Sequence, residues 1–293
     1  MTYRITHRTL YEYTEPVTVS HHAARVKPRP LENQLEEDFQ LEILPKPAVR
    51  IMRTDYFGNR VCFFSIQELH EELEIVATSR VSVLAQTPPV ATLSPIWEEV
   101  RDTFSDPVSP DMVDPYQFAF DSPMLQSSPE LADYARQSFP KETPLLVGAM
   151  DLNRRIFQDF KYDPVATSIA TPLEEVLKNR RGVCQDFAHL GIASLRSLGL
   201  PARYVSGYLR TRPPEGQPRL VGADASHAWL SVFCPSIGWV DLDPTNNLKP
   251  SEEHITVAFG RDFSDVSPVS GVITGGGRHE VKVSVDVDAV RQN

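Results

Sequence analysis

The stretch Arg181-Gly182-Val183-Cys184-Gln185-Asp186-Phe187-Ala188 decides how the chain reads. Upstream, Thr171-Pro172-Leu173-Glu174 has the form of a helix start, with Thr171 as cap, Pro172 in the first turn and Glu174 closing a capping box. That helix is expected to reach about Arg180 and to be ended by Gly182. A second helix opens at or beside Cys184, with Phe187, Leu190, Gly191, Ser194 and Leu198 three or four apart on its apolar face. Gly199 closes it and Pro201 forbids continuation. A cysteine in the first turn of a helix meets unpaired N–H groups and the positive dipole end. Both favour the thiolate, the nucleophilic form. The competing reading is a buried structural cysteine, a common fate for free Cys.

Downstream residues separate the two readings. Ser226-His227-Ala228-Trp229-Leu230-Ser231-Val232 alternates like a strand, and Pro235-Ser236-Ile237-Gly238 reads as a turn. Gly238 to Thr245 then reads as a second strand stopped by Pro244. The hairpin would make His227 and Asp243 cross-strand neighbours. Cysteine, imidazole and carboxylate in that order form a nucleophile, base and orienter set. Asp241 lies two residues from Asp243 on the same strand face, so periodicity does not choose between them. His189 is out of phase with Cys184, and Asp186 reads as a structural carboxylate that caps its helix or pairs with Arg203. His7, His21, His22 and His70 read as surface or packing residues.

Several separated stretches resemble the transglutaminase-like superfamily, a branch of the papain-like cysteine enzymes. They are Gly182-Val183-Cys184, Leu198 through Tyr208, Ser226-His227-Ala228-Trp229, and Gly238-Trp239 followed by Asp243-Pro244-Thr245. The N-terminal stretches Tyr3-Arg4-Ile5-Thr6-His7 and Asp55-Tyr56-Phe57-Gly58-Asn59, with the tail Gly260-Arg261-Asp262, resemble a bacterial subgroup whose core is preceded by a β-rich domain. The resemblance spans nearly the whole chain and implies a Cys184-His227-Asp243 triad, favouring Asp243 over Asp241. It implies acyl transfer through a thioester on a peptide or isopeptide amide. Water as acceptor makes a cysteine protease or amidase, which ranks first; an amine makes a transglutaminase; a catalytically silent binding module is the reading from another class. The oxyanion would meet the Cys184 N–H and a second donor, for which Tyr162 and Thr167 are candidates. Tyr162, Asp224, Trp229 and Trp239 are candidate cleft-lining residues.

Composition agrees with this class. The chain has 293 residues, 41% hydrophobic and 23% charged, with a net charge of −10. That balance is globular and argues against nucleic acid or anionic membrane as partner; the expected partner is a peptide or protein substrate. No apolar stretch reaches the roughly 20 residues of a membrane span, and no basic segment leads into an apolar run, so a cytoplasmic location is expected. Three cysteines, Cys62, Cys184 and Cys234, make no disulfide framework. No paired Cys or His spacing suggests zinc, no acidic Gly-containing loop suggests calcium, and no cofactor is expected.

The expected fold class is α+β: an N-terminal antiparallel β-sandwich-like module over residues 1–87, a papain/transglutaminase-like core of helices on an antiparallel sheet over 88–260, and a C-terminal strand segment over 261–293 that returns to the N-terminal sheet. Thr87-Pro88-Pro89 is the linker candidate, and Ser128-Pro129-Glu130 and Thr143-Pro144 open helices. Cys62 falls in an apolar strand and reads as core. The segment Phe104–Leu125 and the loop Thr211–Ala223 are expected to shape the cleft.

Overall fold

The computed structural model describes residues 1–105, 110–168, 171–211 and 226–290. Asp224 and residues 212–223 of the expected cleft loop lie outside the described residues. Five strands come first: β1 (Thr2–Ala24), β2 (Gln34–Leu44), β3 (Val49–Thr54), β4 (Arg60–Ile66) and β5 (His70–Val83). Helices α1 (Trp97–Ser105), α2 (Val113–Tyr116), α3 (Pro129–Arg136) and α4 (Leu145–Asp159) follow. Next come β6 (Lys161–Tyr162), α5 (Leu173–Asn179), β7 (Arg181–Gly182), α6 (Cys184–Arg196), β8 (Ala202–Leu209), β9 (Ser226–Cys234), β10 (Gly238–Leu242) and β11 (His254–Gly260). The described chain closes with α7 (Phe263–Val266), β12 (Val269–Gly275) and β13 (His279–Val290).

The N-terminal module is antiparallel and its strands run β2-β5-β1-β4-β3, with β12 and β13 also on β1. β1 serves two layers. Its first half, from Thr2 to Glu12, is flanked by β5 and β13. Its second half is flanked by β4 and β12, over Ser20–Ala24 and Val17–Ala24 respectively. Pro16, which cannot donate to a ladder, falls where the register with β5 shifts between Glu12 and Val17, an arrangement in which a strand tolerates proline. The two layers bury Val17, Leu41, Ile43, Phe64, Ile66, Leu73 and Ile75 against one another, with Cys62 among them. The result is sandwich-like, and the chain as a whole is α+β.

The core sheet has the order β10-β9-β8-β11, all antiparallel. α6 lies on one face, buried from Asp186 to Arg196. The approach is close at Gly191, where an added Cβ would come within 2.3 Å of a Leu230 methyl. α3 opens as its sequence expects: the Ser128 hydroxyl accepts from Leu131 N–H at 3.2 Å, and Pro129 occupies the first turn. α4 buries Leu145, Leu152 and Ile156 on one stripe.

Two amide side chains tie the module to the core. Gln34 exchanges hydrogen bonds with the backbone of Thr256 at 2.7 and 2.8 Å, and Asn59 does so with Phe259 at 2.7 and 2.8 Å. Each amide acts as a peptide group on the outer edge of β11, satisfying donors and acceptors that an edge strand otherwise leaves open. Apolar contact continues the join: Tyr3, Ile5, Val285 and Val287 share one cluster with Tyr208 and Ile255.

Candidate active site

The head of α6 is built differently from its sequence reading. Thr171 does not cap α5; its hydroxyl accepts from Ser168 N–H at 2.9 Å, and Pro172 occupies the cap with no side-chain bond. α5 ends at Arg180, which takes the left-handed conformation (φ 54°), so Gly182 is not its terminator. Gly182 pairs instead with Tyr162 in the short parallel β6–β7 ladder. Its lack of a side chain has another use, because an added Cβ would sit 2.5 Å from Asp186 Oδ2. That carboxylate folds back under the turn, accepting from Val183 N–H at 2.8 Å and from the Thr167 hydroxyl at 2.7 Å. Asp186 is therefore the helix cap and not a partner of Arg203. Arg203 lies instead between the rings of Trp239 and Phe259, at 4.1 and 3.6 Å from their centroids. Thr167, spent on Asp186, has no hydroxyl proton left for an oxyanion.

Cys184 is the first residue of α6 and the one partly exposed cysteine; Cys62 and Cys234 are buried. Facing it is His227, second residue of β9. Its Nε2 lies 2.8 Å from Asp243 Oδ2, which leaves Nδ1 for the sulfur. Burial opposes a charge on this ring. The hydrogen bonds to Asp243 and to Cys184, reinforced by their charges, more than offset it and push the His227 pKa up to about 10. Burial also works against the Asp243 anion, yet hydrogen bonds from His227 and His254 hold its carboxyl well below the usual carboxylate range. His227 and Asp243 are not directly opposite one another, as a simple hairpin would have them. The β9–β10 ladder ends with Leu242 against Leu230, and Asp243 begins a turn closed by a bridge to Leu248.

The turn after Asp243 organises its carboxylate. Oδ1 accepts from the N–H groups of Thr245 at 2.9 Å and Asn246 at 3.2 Å. Oδ2 accepts from the Asn246 side chain at 2.7 Å as well as from His227. Asn153 of α4 steadies the turn from below, its Nδ2 donating to the Asp243 carbonyl at 3.3 Å. Asp241 is engaged elsewhere, accepting from Trp229 Nε1 at 3.0 Å and the Ser231 hydroxyl at 2.5 Å.

His254 is a residue that sequence reasoning passed over. It heads β11 and is buried, with Nε2 3.2 Å from Asp243 Oδ2. His227, Asp243 and His254 each present one atom able to bind a metal, all within 4.8 Å of one another. The carboxylate between them is already filled by N–H donors, so hydrogen bonding accounts for the cluster. The sequence did carry a signal: a polar ring heading a strand buried along its whole length needs a partner.

The other expected residues divide. Tyr162 is half exposed, and its pKa is raised by partial burial first and then by charge on Cys184. Trp229 is fully buried beneath the site, its ring centroid 6.0 Å from that of His227. Trp239 packs on Phe118, Phe233 and Arg203, with no ring contact to the Cys184-His227-Asp243 group. His189 accepts from Phe263 N–H at 3.2 Å, away from Cys184, and burial lowers its pKa to about 4.

The chain belongs to the transglutaminase-like superfamily, a class of thiol-dependent enzymes. Residues 132–244 match the transglutaminase-like superfamily core, and residues 3–82 match the bacterial transglutaminase-like N-terminal region. An uncharacterized protein of Mycobacterium tuberculosis (strain H37Rv) is 40% identical, covering 97% of this chain and 92% of the relative. A protein-glutamine gamma-glutamyltransferase of Pseudomonas aeruginosa is 30% identical over 128 residues, 41% of this chain and 18% of that enzyme. A Cytophaga hutchinsonii structure designated "a Putative Cysteine Protease" superposes over 100% of this chain and 92% of its own with a TM-score of 0.74. At 22% identity that likeness speaks for the fold.

Proposed function

We propose that the protein is a cysteine protease or amidase that transfers an acyl group from a peptide or isopeptide amide to water. The observation that carries this reading is the hydrogen-bonded line from the buried Asp243 carboxylate through His227 to the partly exposed Cys184 at the head of α6. His227 is the imidazolium at neutral pH and lies beside the Cys184 sulfur, whose thiolate form is the nucleophile. The sulfur attacks the amide carbonyl, forming the C–S bond and a tetrahedral oxyanion. The Cys184 N–H, which has no partner within its helix in the first turn, meets that oxyanion, and the Tyr162 hydroxyl is the second candidate donor. The C–N bond breaks as His227 gives its proton to the leaving amine, and a thioester remains. Water then attacks, its proton passing to His227, and the acid leaves as the thiolate is restored. Asp243 stays ionised throughout and holds the ring in place.

Amine in place of water gives transglutamination, a second reading favoured by the similarity to the Pseudomonas gamma-glutamyltransferase. Alkylation by iodoacetamide near pH 6 tests the nucleophile. Cys184 is expected to react fast in the wild type and slowly in His227→Ala. An inert Cys184 overturns the enzymatic reading and leaves a binding module. Incubation with peptide libraries, with and without a primary amine, separates cleavage products from amine adducts.

A further inference from the structure

We propose that His254 is a positioning residue for the Asp243–His227 pair, acting as a second imidazole donor on the same carboxylate oxygen. The inference rests on the roles given above to Cys184, His227 and Asp243, and deepens them. The ring is oriented at both nitrogens. Ser251 N–H donates to Nδ1 at 3.4 Å, which leaves Nε2 as the nitrogen that carries a proton. That proton points to Asp243 Oδ2 at 3.2 Å, where His227 already donates at 2.8 Å. Trp229 meets the ring edge-on with centroids 5.3 Å apart, and the indole is fixed in turn by its bond to Asp241.

Packing alone does not explain this histidine. It lines a cavity of about 760 Å³, shared with Leu31, Pro88, Arg203 and Ser251, yet its side chain is only 4% exposed. An imidazole needs a reason to leave water at 6% exposure, and its bond to the carboxylate supplies one.

The site of convergence is made by a missing side chain. Gly207 of β8 pairs with His227. A Cβ at Gly207 would fall 2.5 Å from the Trp229 ring and 2.2 Å from the Ile255 carbonyl. The bare backbone lets β11 deliver His254 across the sheet toward Asp243. Held by imidazoles at one oxygen and by Asn246 and the turn amides besides, the carboxylate keeps a single orientation toward His227. Without His254 it gains freedom to rotate, and the His227 imidazolium loses part of its alignment with the sulfur.

The test is the rate of Cys184 alkylation by iodoacetamide near pH 6, measured on the full chain with thermal unfolding alongside. His254→Phe keeps a ring against Trp229 and removes the donor. It is expected to slow alkylation on the order of tenfold, the equivalent of one hydrogen bond to a charged group. His254→Gln can still donate to Asp243 and is expected to return the rate to within about threefold of wild type. Should the Phe variant fail to fold, His254→Asn, polar but too short to reach Oδ2, takes its place as the loss variant. A loss variant that reacts at the wild-type rate overturns the proposal. So does a Gln variant as slow as the loss variant, because the donated proton would then not be what matters. Failure of the enzymatic reading looks different: the wild-type rate itself would not depend on His227.

Discussion

Replacing Gly182 with alanine is expected to cost about 3 kcal/mol, and the cost can be traced to one side chain. The new Cβ would meet Asp186 Oδ2 at 2.5 Å, Cβ at 2.8 Å and Cγ at 3.0 Å. Asp186 is buried and has no room to step aside without breaking its bonds to Val183 N–H and the Thr167 hydroxyl. Loss of an N-terminal cap costs about 1 kcal/mol, and a hydrogen bond to a charged group about 1.5–3 kcal/mol. In a chain of this size such a sum lowers the unfolding midpoint by roughly 6–12 °C. Urea unfolding of Gly182→Ala, Asp186→Gly and the double variant makes a thermodynamic cycle. Asp186→Gly removes every atom that the new Cβ would strike, so the alanine should then cost less than about 1 kcal/mol. The reasoning is refuted if Gly182→Ala is within about 0.5 kcal/mol of wild type, or if it costs as much without Asp186 as with it. Because the same turn sets Cys184, alkylation should slow in step with the loss of stability.

Other outcomes follow from the site and its supports. The His227 pKa is raised on folding, so its contribution to stability is complete below about pH 6.5, its unfolded value. That contribution is lost as pH rises through about 10. Thermal midpoints measured from pH 6 to 10 should therefore fall more steeply in wild type than in His227→Gln. Asp243 is shifted the other way; its contribution is present above the ordinary carboxylate range and is lost in acid below it. Asp243→Asn should flatten the acid side of the same profile and slow Cys184 alkylation by at least tenfold, the cost of about 1.4 kcal/mol at the His227 imidazolium. Gln34→Ala and Asn59→Ala each strip a buried edge of β11 of its partners, and each should cost about 1–3 kcal/mol in urea unfolding.

Local signals in the sequence were reliable where the physics is local. Ser128 caps α3 because its hydroxyl needs only the next turn, and the stripe Leu145, Leu152, Ile156 faces inward because helical period alone decides it. The cysteine helix and the β9–β10 hairpin follow in the same way from caps, alternation and a turn. Readings that failed depended on distant atoms. Thr171 had the spelling of a cap but bonds backward to Ser168, and Gly182 had the spelling of a terminator but makes space for Asp186. Asp241 and Asp243 were equivalent by period; a turn six residues long, closed at Leu248, gave one of them to His227. His254 was hidden because its partner lies across a sheet, and no spacing records that.

The double use of β1 has a consequence for how the molecule comes into being. Thr2 pairs with Val290 and Val17 with Gly275, so the two ends of the described chain meet on a single strand. During synthesis the segment bearing Cys184, His227 and Asp243 leaves the ribosome before β12 and β13 exist to complete that strand. Until they arrive, half of the ladder of β1 stands open to any other extended segment, including that of a neighbouring nascent chain. Closing a ladder between residues so far apart in sequence is intrinsically slow. β12 and β13 thus act as a clasp, and the interval before it shuts is when the open ladder is most exposed to mispairing.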